Sequence, residues 1–266
     1  VSGRPLAPAV VIDKTAAVRR RAVLTTLAAA AGLPVRPQPQ PVGLQLRYKH
    51  LGDAAQAIIV SGESWTSTYA TLRSFQRDSD GRWQVAYPAM PARTGYGGWA
   101  WAAKRVQDRG LTPAGTFTLT EGFGVQANPG SRLPYRKVDG DDYWAGDKLD
   151  PATYNIFQPS APTTRTWRIT ESERLADYPT QYAYAAVIDF NRPAGVHWDA
   201  SHGQNVTATP SHVGAGSAVF LHCSGAGNTA GCVSVGKDDM VTLLKWLDPA
   251  RHPRIVMAPA ADLHSA

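Results

Sequence analysis

Val219-Phe220-Leu221-His222-Cys223-Ser224-Gly225-Ala226-Gly227-Asn228-Thr229-Ala230-Gly231-Cys232-Val233-Ser234-Val235 is the most informative run of this sequence. It reads as a strand, a glycine-rich loop and a second short apolar strand, so the chain folds back on itself. His222 ends the first strand and can then face Cys232, which opens the second. Such a pair suits nucleophilic catalysis. Thiolate is the attacking form of cysteine, and a neighbouring imidazolium lowers a cysteine pKa from about 8.5 into a range of roughly 3.5 to 7.5. Gly231 lets the main chain turn and leaves the amide of Cys232 unshielded, a donor suited to a developing oxyanion. Thr229 brings a hydroxyl close by. Strand neighbours point to opposite faces, so Cys223 faces away if His222 faces Cys232. That alternation predicts a free Cys232, with Cys223 as a small buried apolar residue. The competing expectation is a Cys223–Cys232 disulfide, the usual fate of two cysteines in an exported protein.

Outward from this run the chain continues to read as strands. Ala57-Ile58-Ile59-Val60 forms a buried strand, and residues 70–76 and 83–87 form a hairpin around Asp78-Ser79-Asp80-Gly81-Arg82. Thr116-Phe117-Thr118-Leu119-Thr120 alternates strictly, placing Phe117 and Leu119 on one face. Residues 184–190 and 217–223 are further strands. One helix is expected over 237–247, where Met240, Leu243, Leu244 and Leu247 follow the i, i+3, i+4, i+7 stripe. With 24 glycines and 20 prolines among 266 residues, turns are frequent, which suits an all-β or β-dominated fold better than a helical bundle.

The formal charge of +6 is concentrated at the front of the chain. Residues 1–40 carry six basic residues and one acidic one, so the remainder is close to neutral and no general field for a polyanion exists. Nucleic acid is therefore not an expected partner. Arg19-Arg20-Arg21 precedes the apolar run from Ala22 to Leu33, the layout of an export signal, and the adjacent arginines fit the twin-arginine type. Spanning a bilayer takes about 20 residues. Residues 1–33 are therefore expected to be a leader, with membrane contact only if it stays uncleaved, and the protein to be exported to the cell wall, the periplasmic side or the medium. Residues 34–45 contain Pro34, Pro37, Pro39 and Pro41 and read as an extended spacer. Residues 46–262 are expected to form one folded domain.

Other polar clusters point less sharply. His197, His202, His212 and His222 fall within 26 residues, yet their spacing matches no zinc motif, so no metal is expected. His212, like His202, is a candidate for lining a substrate cleft, as are Asp141, Asp142 and Asp147. Trp65, Trp99, Trp101, Tyr143 and Trp144 are expected in the core rather than as sugar platforms.

The run from His222 to Cys232, with its Thr229-Ala230-Gly231-Cys232-Val233 ending, resembles the active-site signature of the L,D-transpeptidases, cysteine enzymes that remodel peptidoglycan. Leu111-Thr112-Pro113-Ala114-Gly115-Thr116-Phe117 resembles the family's Thr-Pro-x-Gly-x-Phe segment. The resemblance extends over most of residues 57–259. Ala230 stands where the commonest signature has a second histidine, and Ser234 where an Arg or Asn is frequent. The resemblance implies a mainly β fold, a mixed sandwich or barrel-like catalytic domain with a few short helices, and a role in cell-wall organisation and cell shape. It implies Cys232 as nucleophile and His222 as base, oriented through the carbonyl of Cys223, with Gly231 and Thr229 in support. It also implies peptidoglycan stem peptides as partners, acylation by carbapenems, no cofactor, and formation of 3→3 cross-links. Two alternatives stay open: an L,D-carboxypeptidase acting on stem tetrapeptides, and a non-catalytic, disulfide-stapled cell-wall binding module.

Overall fold

The strand that the Ala57-Ile58-Ile59-Val60 run predicts is β1 (Gln56–Gly62), and it lies at the centre of the sheet. The computed structural model describes residues 46–266, so the leader and the spacer lie outside the described residues. β1 pairs antiparallel with β2 (Tyr69–Arg77), which pairs antiparallel with β3 (Trp83–Arg93). This is the expected hairpin, but β3 runs on past Pro88 and Pro91. Proline removes a ladder donor, and β3 tolerates it because its second neighbour reaches only Ala92 and Arg93.

β4 (Trp99–Trp101) runs parallel to the start of β5 (Thr112–Gly124), and β6 (Tyr135–Lys137) runs parallel to its end. The pairing of Trp99 with Thr112 and Trp101 with Ala114 draws the Thr-Pro-Ala-Gly segment into the strand, four residues earlier than its alternation begins. β7 (Tyr143–Ala145), β8 (Ile156–Gln158) and β9 (Glu173–Arg174) make a separate three-stranded sheet. β10 (Ala185–Ile188) pairs with both β5 and β13 (Phe220–Cys223), while β11 (His197–Asp199) and β12 (Gln204–Val206) form a small hairpin between them in sequence. β14 (Val233–Val235) runs parallel to β13 and antiparallel to β3. β15 (Arg254–Pro259), which periodicity does not reveal, pairs parallel with β1 and antiparallel with β5.

Following these pairings around, β10, β13, β14, β3, β2, β1, β15 and β5 return to β10, which closes an eight-stranded ring. Closure removes sheet edges and forces every ring strand to present alternate residues inward and outward. Ile58, Val60, Leu72, Leu119, Ile188, Leu221, Cys223, Val233, Val235, Ile255 and Met257 share one buried cluster. The intervening residues of β10 and β13, Ala185, Val187 and Phe220, belong to another, with Trp144, Tyr182 and Cys232. Alternation thus separates a structural face from a functional one.

α1 (Lys237–Trp246) is the predicted helix, and its Met240, Leu243 and Leu244 are fully buried in the first cluster. Asp238 and Asp239 in its first turn and Lys245 in its last complement the helix dipole. Trp99, Tyr143 and Trp144 are core residues, whereas Trp65 and Trp101 are half-buried against each other with ring centroids 5.0 Å apart. Among the described residues no helix is long and apolar enough to cross a membrane.

Candidate active site

The expected strand over 217–223 begins only at Phe220, because Ala218 adopts a left-handed φ of 52°. A side chain is disfavoured there, and the kink turns two Ala218 groups to use: its N–H donates to Asn155 Oδ1 at 3.1 Å, and its carbonyl accepts the thiol hydrogen of Cys232 at 3.3 Å. Cys232 Sγ also accepts the backbone N–H of Phe220 at 3.3 Å. The thiol is thus held by the first residue of the strand that carries His222 and by the kinked residue that leads into it.

His222 follows Phe220 by two, so both side chains leave the same face of β13. Leu221 and Cys223 leave the other. His222 and Cys232 line one cleft of about 610 Å³, while Cys223 belongs to the cluster inside the ring and its Sγ lies 3.5 Å from the carbonyl of Tyr184. Both cysteines are free and buried, so the alternative of a Cys223–Cys232 disulfide does not describe this fold. A staple would need two side chains on one face, and the strand puts them on two.

The imidazole of His222 is oriented by the chain itself. Its Nδ1 lies 2.8 Å from the carbonyl oxygen of Cys223. A carbonyl can only accept, so Nδ1 carries the hydrogen and the neutral ring keeps its lone pair on Nε2. The Tyr182 ring stands perpendicular to the imidazole, at 90° with centroids 5.5 Å apart. Burial pulls the His222 pKa down to about 4, against the partial compensation of its hydrogen bond to Cys223. Burial pushes the Cys232 thiol up to about 12; the nearby Glu173 charge raises it further, and the Phe220 N–H and Arg105 oppose both. At neutral pH the pair is therefore an uncharged thiol and an uncharged base. Neither hydrogen bond of the thiol runs to His222, a looseness common before substrate binds.

The turn that presents Cys232 is stitched to its neighbours by hydroxyls. Thr229 Oγ1 donates to the carbonyl of Cys232 at 2.7 Å and accepts the N–H of Gly231 at 3.1 Å. Its hydrogen is committed inside the turn, so Thr229 shapes the loop instead of offering a donor to an oxyanion. Thr112, which opens the Thr112-Pro113-Ala114-Gly115 segment, donates to the same carbonyl at 3.4 Å and accepts the N–H of Gly95 at 2.8 Å. Backbone bonds between Thr229 and both Thr94 and Tyr96 continue the stitching past β3. Gly231 has φ 132°, and a Cβ there would stand 2.7 Å from Arg105 Nη2 and 2.8 Å from the carbonyl of Leu111. Only glycine fits.

Other expected residues fall elsewhere. His212 is exposed, with its backbone tied to Asn191, and does not line the cleft, which corrects its expected place in substrate binding. His202 pairs with Asp199 at 2.6 Å on the β11–β12 hairpin. Asp147 is buried and bound by Arg168, whose hydrogen bond holds its pKa down at about 2, and Asp142 accepts the N–H of Asp139 at 2.8 Å. Among the described residues no group of three or more His, Cys, Asp or Glu is placed to hold a metal. Ala230 and Ser234 both line the cleft; Ala230 is exposed, while Ser234 is buried opposite His222 in the β13–β14 register.

Three cleft residues escaped the sequence reading. Tyr182 packs on Phe220 and His222, and its hydroxyl donates to Glu173 Oε1 at 2.5 Å. Burial raises the Glu173 carboxyl to about 7, partly offset by that bond. Arg105 is buried beneath the cysteine turn. None of the three is marked by a local sequence pattern, and only the tertiary fold brings each to the cysteine.

His222 and Glu173 make opposite pH demands on stability. The His222 pKa falls from 6.5 to about 4 on folding, so its contribution is present above pH 6.5 and lost as pH falls towards 4, about 3 kcal/mol at most. Glu173 rises from 4.5 to about 7, so its contribution is present below pH 4.5 and lost as pH rises towards 7. In the native chain the two oppose each other over the same window. Glu173→Gln keeps the acceptor for Tyr182 but does not ionise; because burial also raises the Asp142 and Asp189 carboxyls, the His222 contribution is read by urea unfolding as the difference between this variant and the same chain carrying His222→Gln as well, about 3 kcal/mol lost between pH 6.5 and 4. Equal pH profiles in the two variants would contradict a neutral, buried His222.

Comparison with known proteins finds one family. A family model for the L,D-transpeptidase catalytic domain matches residues 66–256, more than half of the chain. No curated protein and no solved structure matches it.

Proposed function

Because this chain belongs to the L,D-transpeptidase catalytic-domain family, we propose that it is an exported peptidoglycan transpeptidase that forms 3→3 cross-links through a thioester on Cys232. The observation that carries this reading is the bond from His222 Nδ1 to the Cys223 carbonyl at 2.8 Å, in the same cleft as a free cysteine. It leaves Nε2 as the base.

A stem tetrapeptide enters with the amide between its diamino acid and terminal D-alanine at the cysteine turn. The thiol leaves Ala218 by rotation about its Cα–Cβ bond, His222 takes its proton, and sulfur attacks the carbonyl carbon. The oxyanion is received by the backbone amide of Cys232, where Gly231 leaves the approach open. Collapse of the tetrahedral intermediate breaks the C–N bond. The imidazolium returns its proton to the departing amine, and free D-alanine leaves a thioester. The side-chain amine of a second stem then attacks, losing its proton to His222, and the sulfur departs as the thiol. The depressed His222 pKa supports this cycle, because the imidazole is unprotonated at the start of each step. Carbapenems acylate the same sulfur.

The chemistry of the first step does not distinguish an amine acceptor from water. Incubating the protein with a tetrapeptide donor, alone and with a second stem as acceptor, separates them by mass spectrometry. The transpeptidase gives D-alanine and a cross-linked dimer. Tripeptide as the main product with acceptor present would make the protein an L,D-carboxypeptidase, and no release of D-alanine would overturn both readings.

A further inference from the structure

The cleft contains a buried cation that the mechanism above leaves without a task. Arg105 is 7% exposed. Its Nε donates to the carbonyl of Leu111 at 2.7 Å and its Nη1 to the carbonyl of Ala215 at 2.8 Å, which fixes the plane of the guanidinium. The remaining nitrogen, Nη2, makes no hydrogen bond among the described residues and lies against the turn that carries Cys232, 2.7 Å from where a Cβ on Gly231 would stand. Gly216, with φ 127°, gives way on the other side: a Cβ there would overlap Nη1 at 1.3 Å. Two glycines and two carbonyls thus form a cradle for one guanidinium.

Among the described residues no carboxylate completes that cradle. Asp108, on the same cleft wall, is engaged by Lys148 at 2.8 Å. A guanidinium keeps its charge under all ordinary conditions, and a buried charge without an opposite partner is costly. Such a site favours an incoming anion. Arg105 is the sole Lys or Arg among the residues lining the cleft, and Asp108, Glu171 and Glu173 line it elsewhere. An anionic ligand group is therefore drawn to one place, beside the nucleophile.

We propose that Arg105 is the specificity residue for the donor's C-terminal carboxylate, which it holds through Nη2 beside the cysteine turn. The inference rests on the reaction proposed above and names what that site demands of its donor. In a stem tetrapeptide the carboxylate of the terminal D-alanine is separated from the scissile carbonyl only by the amide nitrogen and one carbon. A group held at Arg105 therefore sets the scissile carbonyl near Cys232. An arginine suits this task because its fork of donors is rigid and weakly hydrated. The carboxylate leaves with the free D-alanine, so the thioester no longer occupies the cradle when the acceptor arrives.

The test compares a tetrapeptide donor with the same peptide ending in a carboxamide, on the full chain, by the rate of Cys232 acylation in intact mass spectrometry. A hydrogen bond to a charged group corresponds to a preference of about ten- to a hundred-fold for the acid. The wild-type protein should show that ratio, and Arg105→Gln should bring it close to one. Equal acylation of the wild type by both peptides overturns the proposal without any variant. A ratio preserved in Arg105→Gln, with both rates reduced alike, also overturns it and makes Arg105 an aid to the thiol. Acylation by neither peptide overturns the enzymatic reading itself, a different result from equal acylation by both.

Discussion

Cys232→Ala should abolish covalent labelling: after exposure to a carbapenem or a tetrapeptide donor, the wild-type chain gains the mass of one acyl group and the variant gains none. The expectation follows from the cleft, where Cys232 is the one thiol, since Cys223 lies in the core inside the ring. Turnover of donor should fall by at least about a thousand-fold, because the covalent route has no substitute nucleophile. Cys223→Ala is the matched control and should keep the adduct. An adduct surviving in Cys232→Ala would place the chemistry on another residue and sink the mechanism.

Phe220→Ala should give the largest loss of stability of any single change on the active-site face of β13. The Phe220 ring is fully buried, with its centroid 4.9 Å from Phe123, 4.9 Å from Trp144 and 5.6 Å from Tyr182, all close to edge-on. Removing a buried phenyl ring costs about 3 to 5 kcal/mol, from lost transfer energy and the cavity left behind. Here the cavity opens among rings that tie the β7–β9 sheet to the ring of strands, so collapse around it is restricted. Urea unfolding measures the loss directly. Val85→Ala, at a position 64% exposed, should stay within about 0.5 kcal/mol and serves as the reference. A loss below 1 kcal/mol for Phe220→Ala would show that these aromatic contacts do not hold the two sheets together.

The strands with regular patterns were legible in advance. The buried run at residues 57–60, the hairpin around Gly81 and the helix with Met240, Leu243 and Leu244 appear as read, because burial on one or both faces leaves its period in the sequence. The late start of β13 was not legible, because a left-handed alanine at 218 has no local signature. β15 was missed although its residues are almost all buried: between Pro253 and Pro259 a short apolar run has no period to read. Its partners, β1 and β5, are far away in sequence.

The candidate site divides in the same way. By itself the sequence determined that His222 and Cys223 must face opposite ways and that glycine precedes the cysteine; these follow from the two-residue period of a strand and from the backbone freedom of glycine. The expected fold-back after His222 is instead a loop that carries the chain to a parallel strand, so that Val233, next to Cys232, pairs with Leu221. Only the tertiary structure decided that His212 stands outside the cleft, that Thr229 spends its hydroxyl within the turn, and that Arg105, Glu173 and Tyr182 surround the cysteine. The reason is physical. Side-chain direction along a strand is a local property, whereas closing eight strands into a ring juxtaposes residues more than a hundred positions apart, and their partners' identities leave no mark on the neighbouring sequence.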